Sequence, residues 1–124
     1  MAIISEAVKN QATREATLYQ LLNDAGTDET TSDALESLTV ESATLIVVSS
    51  ADAGTGTVVL EGSPISNYSG TWVNLGSISV NAASRVFSVT AGKIDELPMP
   101  YLRARISDGM TGGTIDVYLA VRRA

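Results

Sequence analysis

The feature that most constrains the fold is an alternation of apolar and polar residues with a period of two, which begins near Leu35. Short segments rich in β-branched and aromatic residues are separated by clusters of Gly, Ser, Asn, Asp and Pro, a pattern typical of strands joined by turns. Seven segments follow this pattern: 35–40, 44–50, 57–62, 71–80, 85–91, 101–107 and 114–122. Their roughly even spacing predicts an all-β fold, an antiparallel β-sandwich or jelly roll of about seven to eight strands.

The last two segments show the clearest alternation, and we expect them to form a hairpin closed by the Gly-rich loop 108–113. With Ser107 opposite Thr114, the apolar residues of both segments fall on the same side of the hairpin. The expected apolar pairs are Ile106 with Ile115, Ala104 with Val117 and Leu102 with Leu119. The same register places Arg105 opposite Asp116 on the outer side, a cross-strand pair worth roughly 0.2–1 kcal/mol.

The beginning of the sequence differs from the rest in its charge. Residues 1–41 contain eight Asp or Glu and two Lys or Arg, whereas residues 42–124 contain six of each, so the first third accounts for the whole net charge of −6. We therefore expect two regions, an N-terminal arm (1–33) and a β-sandwich domain (34–124). Within the arm, residues 5–22 predict a short helix or an extended segment, and residues 23–33 predict an acidic, turn-forming linker.

The arm contains one dense apolar cluster, formed by Leu18, Tyr19, Leu21 and Leu22. Because it precedes an acidic linker, we expect it to lie outside the sandwich core and to need another surface to cover it. That surface is either the chain's own domain, a sister subunit or a larger partner. These four residues are the candidate partner interface.

Composition excludes several classes of function. The sequence has no His and no Cys, so it offers no imidazole base, no thiolate nucleophile, no disulfide and no Cys/His zinc site. The acidic charge disfavours nucleic-acid and anionic-membrane partners. The longest aliphatic run, 45–48, is far below the roughly 20 residues that span a bilayer. We expect no catalytic, cofactor-binding or metal-binding residues, and no enzyme.

Two further candidates have alternative interpretations. Asp24, Asp28, Glu29 and Asp33 could gather around a cation, but their spacing does not match a calcium loop, so a solvated linker is favoured. Tyr68 and Trp72 could form a stacking surface for a sugar, although a chain with a single Trp more often buries that residue. A glycan-binding or tail-fibre module is therefore the alternative hypothesis.

Several short motifs resemble small β-sandwich proteins of tailed-bacteriophage virions. They are Glu61-Gly62-Ser63, the segment 70–77 with Trp72, the segment 100–106 with Tyr101, Arg103 and Arg105, Gly112-Gly113-Thr114, and Val117-Tyr118-Leu119. The group most similar in size is the capsid decoration, or cement, proteins. The resemblance covers residues 44–122 and rests mostly on turn and strand chemistry.

The resemblance implies a non-enzymatic structural protein, made in the host cytoplasm and located on the outer surface of a phage capsid. Its partner would be the major capsid protein, and it would hold neighbouring capsid subunits together by binding across them. The resemblance also favours a homo-oligomer, with a trimer as the expected form. Because one oligomer would present several N-terminal arms, weak binding of each arm to the capsid would be sufficient for stable attachment.

Overall fold

The computed structural model describes residues 17–36, 40–91 and 100–123, and all regular secondary structure in these ranges is β-strand. The strands are β1 (Thr17–Ala25), β2 (Leu35–Glu36), β3 (Val40–Ser49), β4 (Gly56–Ser63), β5 (Val73–Val80), β6 (Val86–Ala91), β7 (Tyr101–Asp108) and β8 (Ile115–Arg123). From residue 57 onward, each predicted strand end lies within two residues of the observed one. The predicted fold class is confirmed: the chain is an antiparallel β-sandwich with eight described strands.

The eight strands form two four-stranded sheets. The first sheet has the order β1-β8-β3-β6, and the second sheet has the order β2-β7-β4-β5. All pairings are antiparallel. β8 lies between β1 and β3, so strands from the two ends of the described chain are neighbours in the first sheet.

The core lies between the sheets and follows the predicted period of two. Alternate residues of β3, β7 and β8 are buried, and their neighbours point outward, whereas every residue of β4 except Thr57 is buried. The inward residues are Ala43, Leu45, Val47, Val58, Leu60, Leu102, Ala104, Ile106, Ile115, Val117, Leu119 and Val121, each at most 2% exposed. Complete burial of a Val, Leu or Ile side chain contributes about 1.5–3 kcal/mol, so these rows are the main stabilising element of the fold.

The predicted hairpin of the last two segments is wrong, because β7 and β8 belong to different sheets. β7 pairs with β4, and Arg105 lies opposite Val59 rather than Asp116. The predicted inward faces are nevertheless correct. Alternation identifies the buried face of each strand, and it is satisfied equally well by any partner strand whose apolar residues face the same core.

The loop between β7 and β8 crosses from one sheet to the other instead of reversing the chain. It is held by Met110, which is 2% exposed and donates its backbone N–H to the carbonyl of Gly26 at 3.0 Å. Gly113 has a φ of 63°, and a Cβ there would lie 2.6 Å from the Cα of Ala53. Glycine accommodates both the left-handed backbone conformation and the close contact with Ala53, because it has no Cβ.

The boundary expected at residue 33 also differs from the structure. Residues 17–25, predicted as the end of a helix or arm and the start of a linker, form β1 and pair with β8. Residues 30–36, across the expected boundary, follow the edge of β7: Ser32 N–H donates to the carbonyl of Ala104, and Ile106 N–H donates to that of Thr30, both at 2.8 Å. The described part of the sandwich therefore begins at Thr17. The remainder of the predicted arm, 1–16, lies outside the described residues.

Candidate functional site

The predicted interface residues Leu18, Tyr19, Leu21 and Leu22 all lie on β1, where they have two different environments. Tyr19, Leu21 and Leu22 are half-buried and pack against the hydrophobic core, because β1 joins the first sheet and places Tyr19 opposite Leu119. The expectation that the cluster lies outside the core is therefore wrong for these three residues. Leu18 points away from the core and is 59% exposed. A role for the cluster at a partner interface stays a prediction.

Leu18 belongs to a larger apolar surface on the outward side of the first sheet. The register aligns outward residues of the four strands into rows. The apolar members of these rows are Leu18, Ile46, Val48, Val86, Tyr118 and Ala120, which we call the outer apolar face. All six are half-buried or exposed, and Val86 is 64% exposed. The surface extends across all four strands of the sheet.

Few charged groups interrupt the outer apolar face. Of the described side chains on its strands, those of Asp24, Asp116 and Arg122 are charged and are not buried. Asp116 is already engaged, because its Oδ1 accepts the backbone N–H of Asp24 at 2.8 Å. The remaining polar groups are mainly hydroxyls, such as those of Thr44 and Thr90, which are 3.2 Å apart. A charge-poor, contiguous apolar surface of this kind is typical of protein–protein contacts.

The other predicted pair, Tyr68 and Trp72, lies on the opposite side of the molecule, in and after the loop that follows β4. Trp72 is 4% exposed, and its Nε1 donates a hydrogen bond to the carbonyl of Tyr68 at 2.8 Å. The guanidinium carbon of Arg103 lies 4.1 Å from the centre of a Trp72 ring, within cation–π range. Trp72 is thus a covered residue, and Tyr68, at 43% exposure, is the aromatic side chain of the pair that is open to solvent. Glycan binding at this pair stays a prediction.

The outward side of the second sheet contains a charged cluster that the sequence analysis did not identify. Glu61 on β4 is 3% exposed. Its Oε1 accepts a hydrogen bond from Arg103 Nε at 3.0 Å, and its Oε2 accepts one from Arg105 Nε at 2.8 Å. Both carboxylate oxygens are therefore paired, and the ring of Trp72 covers Arg103. We call Glu61, Trp72, Arg103 and Arg105 the charged network.

The sequence contained part of the signal for this network. Glu61, Arg103 and Arg105 all occupy outward positions of predicted strands, where charged residues ordinarily face water. Their proximity depends on the pairing of β4 with β7, which places Glu61 opposite Arg103. Because the hairpin prediction assigned β7 to β8, it connected Arg105 to the wrong carboxylate.

A shallow cleft of about 260 Å³ lies beside the charged network and is lined by Glu29, Thr30, Thr31, Arg105 and Ile106. Its hydroxyl and charged groups can form hydrogen bonds with a polar group. The carboxylates considered for a cation, those of Asp24, Asp28, Glu29 and Asp33, are all exposed. In the part of the chain that the structure describes, no three acidic residues lie close enough together to hold a metal ion.

Comparison with known proteins gives a fold relationship. No protein-family model and no curated protein sequence matches the chain. Among solved structures, the chain is similar to the PBSX exported protein XepA, with a TM-score of 0.60 and 14% identity over 87% of this chain. It is also similar to the SPBc2 prophage-derived protein YomS, with a TM-score of 0.57 and 10% identity over 86% of this chain and 92% of that one.

A third similar structure is the K1 cleaved adhesin domain of Lys-gingipain from Porphyromonas gingivalis W83, with a TM-score of 0.51 and 12% identity over 88% of this chain and 74% of that one. The chain spans only 37% of the length of XepA. At these identities the likeness shows a shared β-sandwich fold. Within residues 17–36, 40–91 and 100–123, no helix of a length and hydropathy suited to crossing a membrane is found.

Proposed function

We propose that this protein is a non-enzymatic structural component of a phage virion, which decorates and stabilises the capsid by binding across neighbouring capsid subunits. Its location would be the outer capsid surface, and its partner the major capsid protein. The observation that carries the proposal is the outer apolar face of the first sheet. That face offers a broad contact area without a reactive group.

The two sides of the sandwich support this assignment in different ways. The outer apolar face leaves side chains such as Leu18 and Val86 more than half exposed, and they gain free energy when a partner covers them. The charged network on the second sheet is paired within the chain, so its buried carboxylate already has its partners. A decoration protein needs both a surface that binds the capsid and a stable fold.

The comparisons are compatible with this function without identifying it. One of the similar structures is named a prophage-derived protein and another an exported protein. Together with the motif resemblance to virion proteins, these names support a phage origin for the fold.

The proposal is tested by weakening the outer apolar face while the strand is kept intact. We suggest the double variant Ile46→Thr and Val48→Thr, because threonine keeps the β-branched shape while a hydroxyl replaces the ethyl group of Ile46 and one methyl group of Val48. Both side chains are half-buried on the outward side of β3. Cosedimentation with undecorated heads of the encoding phage should show a loss of binding of roughly tenfold or more, the equivalent of about 1.4 kcal/mol.

A matched control is Ser77→Thr, which places the same side chain at an exposed outward position of the second sheet. The control should bind heads as the unmodified chain does. Full binding by the Ile46→Thr and Val48→Thr variant would rule out the outer apolar face as the docking surface.

The contribution of the N-terminal segment needs a separate deletion. Removing residues 2–33 would delete β1 and expose an edge of β8, so a loss of binding could not be assigned to the arm. Removing residues 2–16 leaves β1 intact. If the segment contributes to docking, this shorter deletion lowers occupancy on heads; full occupancy would show that the sandwich alone carries the contact.

A further inference from the structure

The four edge strands of the sandwich differ in their protection against pairing with another chain. An unpaired edge exposes backbone N–H and C=O groups, and proteins usually shield it with irregularity, shortness or charge. β1 has two register shifts against β8, and β2 is two residues long. β5 has a register shift against β4 and contains Gly76. These three edges carry features that disfavour the addition of a strand.

β6 carries none of those features. It pairs with β3 over six consecutive residues without a register shift. Its sequence, Val-Phe-Ser-Val-Thr-Ala, contains no charged residue, no Gly and no Pro. Three of its six residues are β-branched and one is aromatic, which favours further strand pairing.

The hydrogen bonds of β6 show which of its backbone groups are free. Arg85, just before the strand, accepts from the backbone N–H of Ser49 on β3 at 2.9 Å, so its carbonyl points toward β3. Because these directions alternate in an antiparallel ladder, the groups of Phe87 and Val89 also point toward β3. The N–H and C=O groups of Val86, Ser88 and Thr90 point to the free edge, and no described strand lies there.

The charge distribution favours pairing of the β6 edge with a second copy of the same chain. From Gly62 to Gly92 the sequence contains a single charged residue, Arg85, although the chain has a net charge of −6. The exposed acidic residue Asp24 lies on β1, at the opposite edge of the first sheet, and the exposed Asp28 and Glu29 follow in the segment that leads from β1 to the edge of β7. Two copies can therefore meet through β6 while their acidic segments stay apart.

We propose that β6 pairs in an antiparallel manner with β6 of a second copy, around a two-fold axis that places Ser88 opposite the partner's Ser88. In this register the free groups of Val86, Ser88 and Thr90 on each strand all find partners. Val86 lies opposite the partner's Thr90, and Phe87 lies opposite the partner's Val89, so β-branched and aromatic residues meet across the contact. The two first sheets become one continuous eight-stranded sheet.

This contact goes beyond the proposed capsid function and does not depend on it. A two-fold contact closes at two copies, whereas the sequence resemblance favoured a trimer. The dimer would also join the two outer apolar faces into one surface, because Val86 belongs to both the face and the edge.

Sedimentation equilibrium of the purified full chain tests the pairing. We expect a dimer of twice the 12.9 kDa chain mass, populated in a concentration-dependent manner. Ser88 is exposed, so Ser88→Lys and Ser88→Glu leave the core unchanged. Each variant alone places two like charges directly opposite each other at the two-fold axis and should raise the dissociation constant roughly tenfold or more. An equimolar mixture of the two variants should restore the dimer, and Ser88→Ala should behave as the unmodified chain.

Amide hydrogen exchange gives a second readout that does not depend on substitution. When the concentration of the unmodified chain rises through the dissociation constant, the amides of Val86, Ser88 and Thr90 should become protected. Those of Phe87 and Val89, already bonded to β3, should show little change. Three results would overturn the proposal: a chain that stays monomeric, a trimer, or a dimer that persists unchanged in both Ser88 charge variants with no alternating protection in β6.

Discussion

The two outward sides of the sandwich have the same backbone architecture and opposite chemistry. On the second sheet, the carboxylate of Glu61 is 3% exposed and has both oxygens paired with arginines. On the first sheet, Leu18 and Val86 are more than half exposed. The difference indicates that the charged network contributes mainly to stability, whereas the outer apolar face contributes little until a partner covers it. Substitutions on the two sides should therefore affect different measurements.

The largest effect on stability is expected for Glu61→Ala. Removing the shared carboxylate leaves Arg103 and Arg105 without their ion-pair partner on a largely covered surface, and breaking a buried ion pair costs about 3–5 kcal/mol. Because the side chain of Arg105 is 38% exposed and can be partly rehydrated, we expect about 3 kcal/mol. Urea denaturation measures the loss, with Ser77→Ala on the same side as the control. A loss below about 1 kcal/mol would show that the network is not a stabilising element.

A smaller effect is expected for Trp72→Phe. Phenylalanine keeps an aromatic ring near Arg103 and removes the Nε1 donor, so the carbonyl of Tyr68 loses its 2.8 Å hydrogen bond. The expected loss is about 1–2 kcal/mol in the free energy of unfolding. Tyr68→Phe is the control, because the bond uses the backbone carbonyl of Tyr68 and should persist. An equal loss in both variants would contradict this explanation.

On the first sheet, Asp116→Ala should have a modest effect. It removes the acceptor for the backbone N–H of Asp24, which also has a positive φ of 49°. Because the bond is exposed, water replaces the lost acceptor, and we expect a loss of about 0.5–1 kcal/mol. Thermal unfolding at neutral pH measures it, and Asp116→Asn, which keeps a carbonyl oxygen, should recover most of the loss.

The smallest effect on stability is expected for Leu18→Ser, within about 0.5 kcal/mol, because the side chain is 59% exposed. The matched variant Leu22→Ser, four positions along the same strand and half-buried against the core, should cost more than 1 kcal/mol. Denaturation curves of the two variants therefore separate the two sides of β1. Equal losses would mean that Leu18 is covered within the chain.

The sequence predicted the inward faces of the last two strands, β7 and β8, because burial on one side imposes a period of two on each of these strands separately. The alternation of Leu102, Ala104 and Ile106 is correct in the structure. The alternation does not specify which strands pair, because the pairing depends on the sheet to which each loop leads the chain. The loop after Asp108 crosses to the other sheet, and the Gly-rich composition that suggested a hairpin turn suits that crossing equally well.

The charged network and the position of β1 were missed for related reasons. Glu61 meets Arg103 only through the β4–β7 pairing, which joins segments 42 positions apart. The acidic composition of the N-terminal arm suggested a segment separate from the sandwich, whereas apolar residues of β1, such as Tyr19 and Leu22, pack against the core. In both cases contacts between residues far apart in the sequence determine the structure, and the composition of a short segment does not predict such contacts.

The central position of β8 in the first sheet also has a consequence for synthesis on the ribosome. β8 pairs with both β1 and β3, and Asp24 and Asp116 meet although they are 92 positions apart. When Asp108 has emerged, all four strands of the second sheet are available, but the first sheet still consists of the β3–β6 pair alone. The inward apolar residues of the second sheet therefore remain partly uncovered until β8 has been synthesised. During this interval the nascent chain is most prone to misassembly.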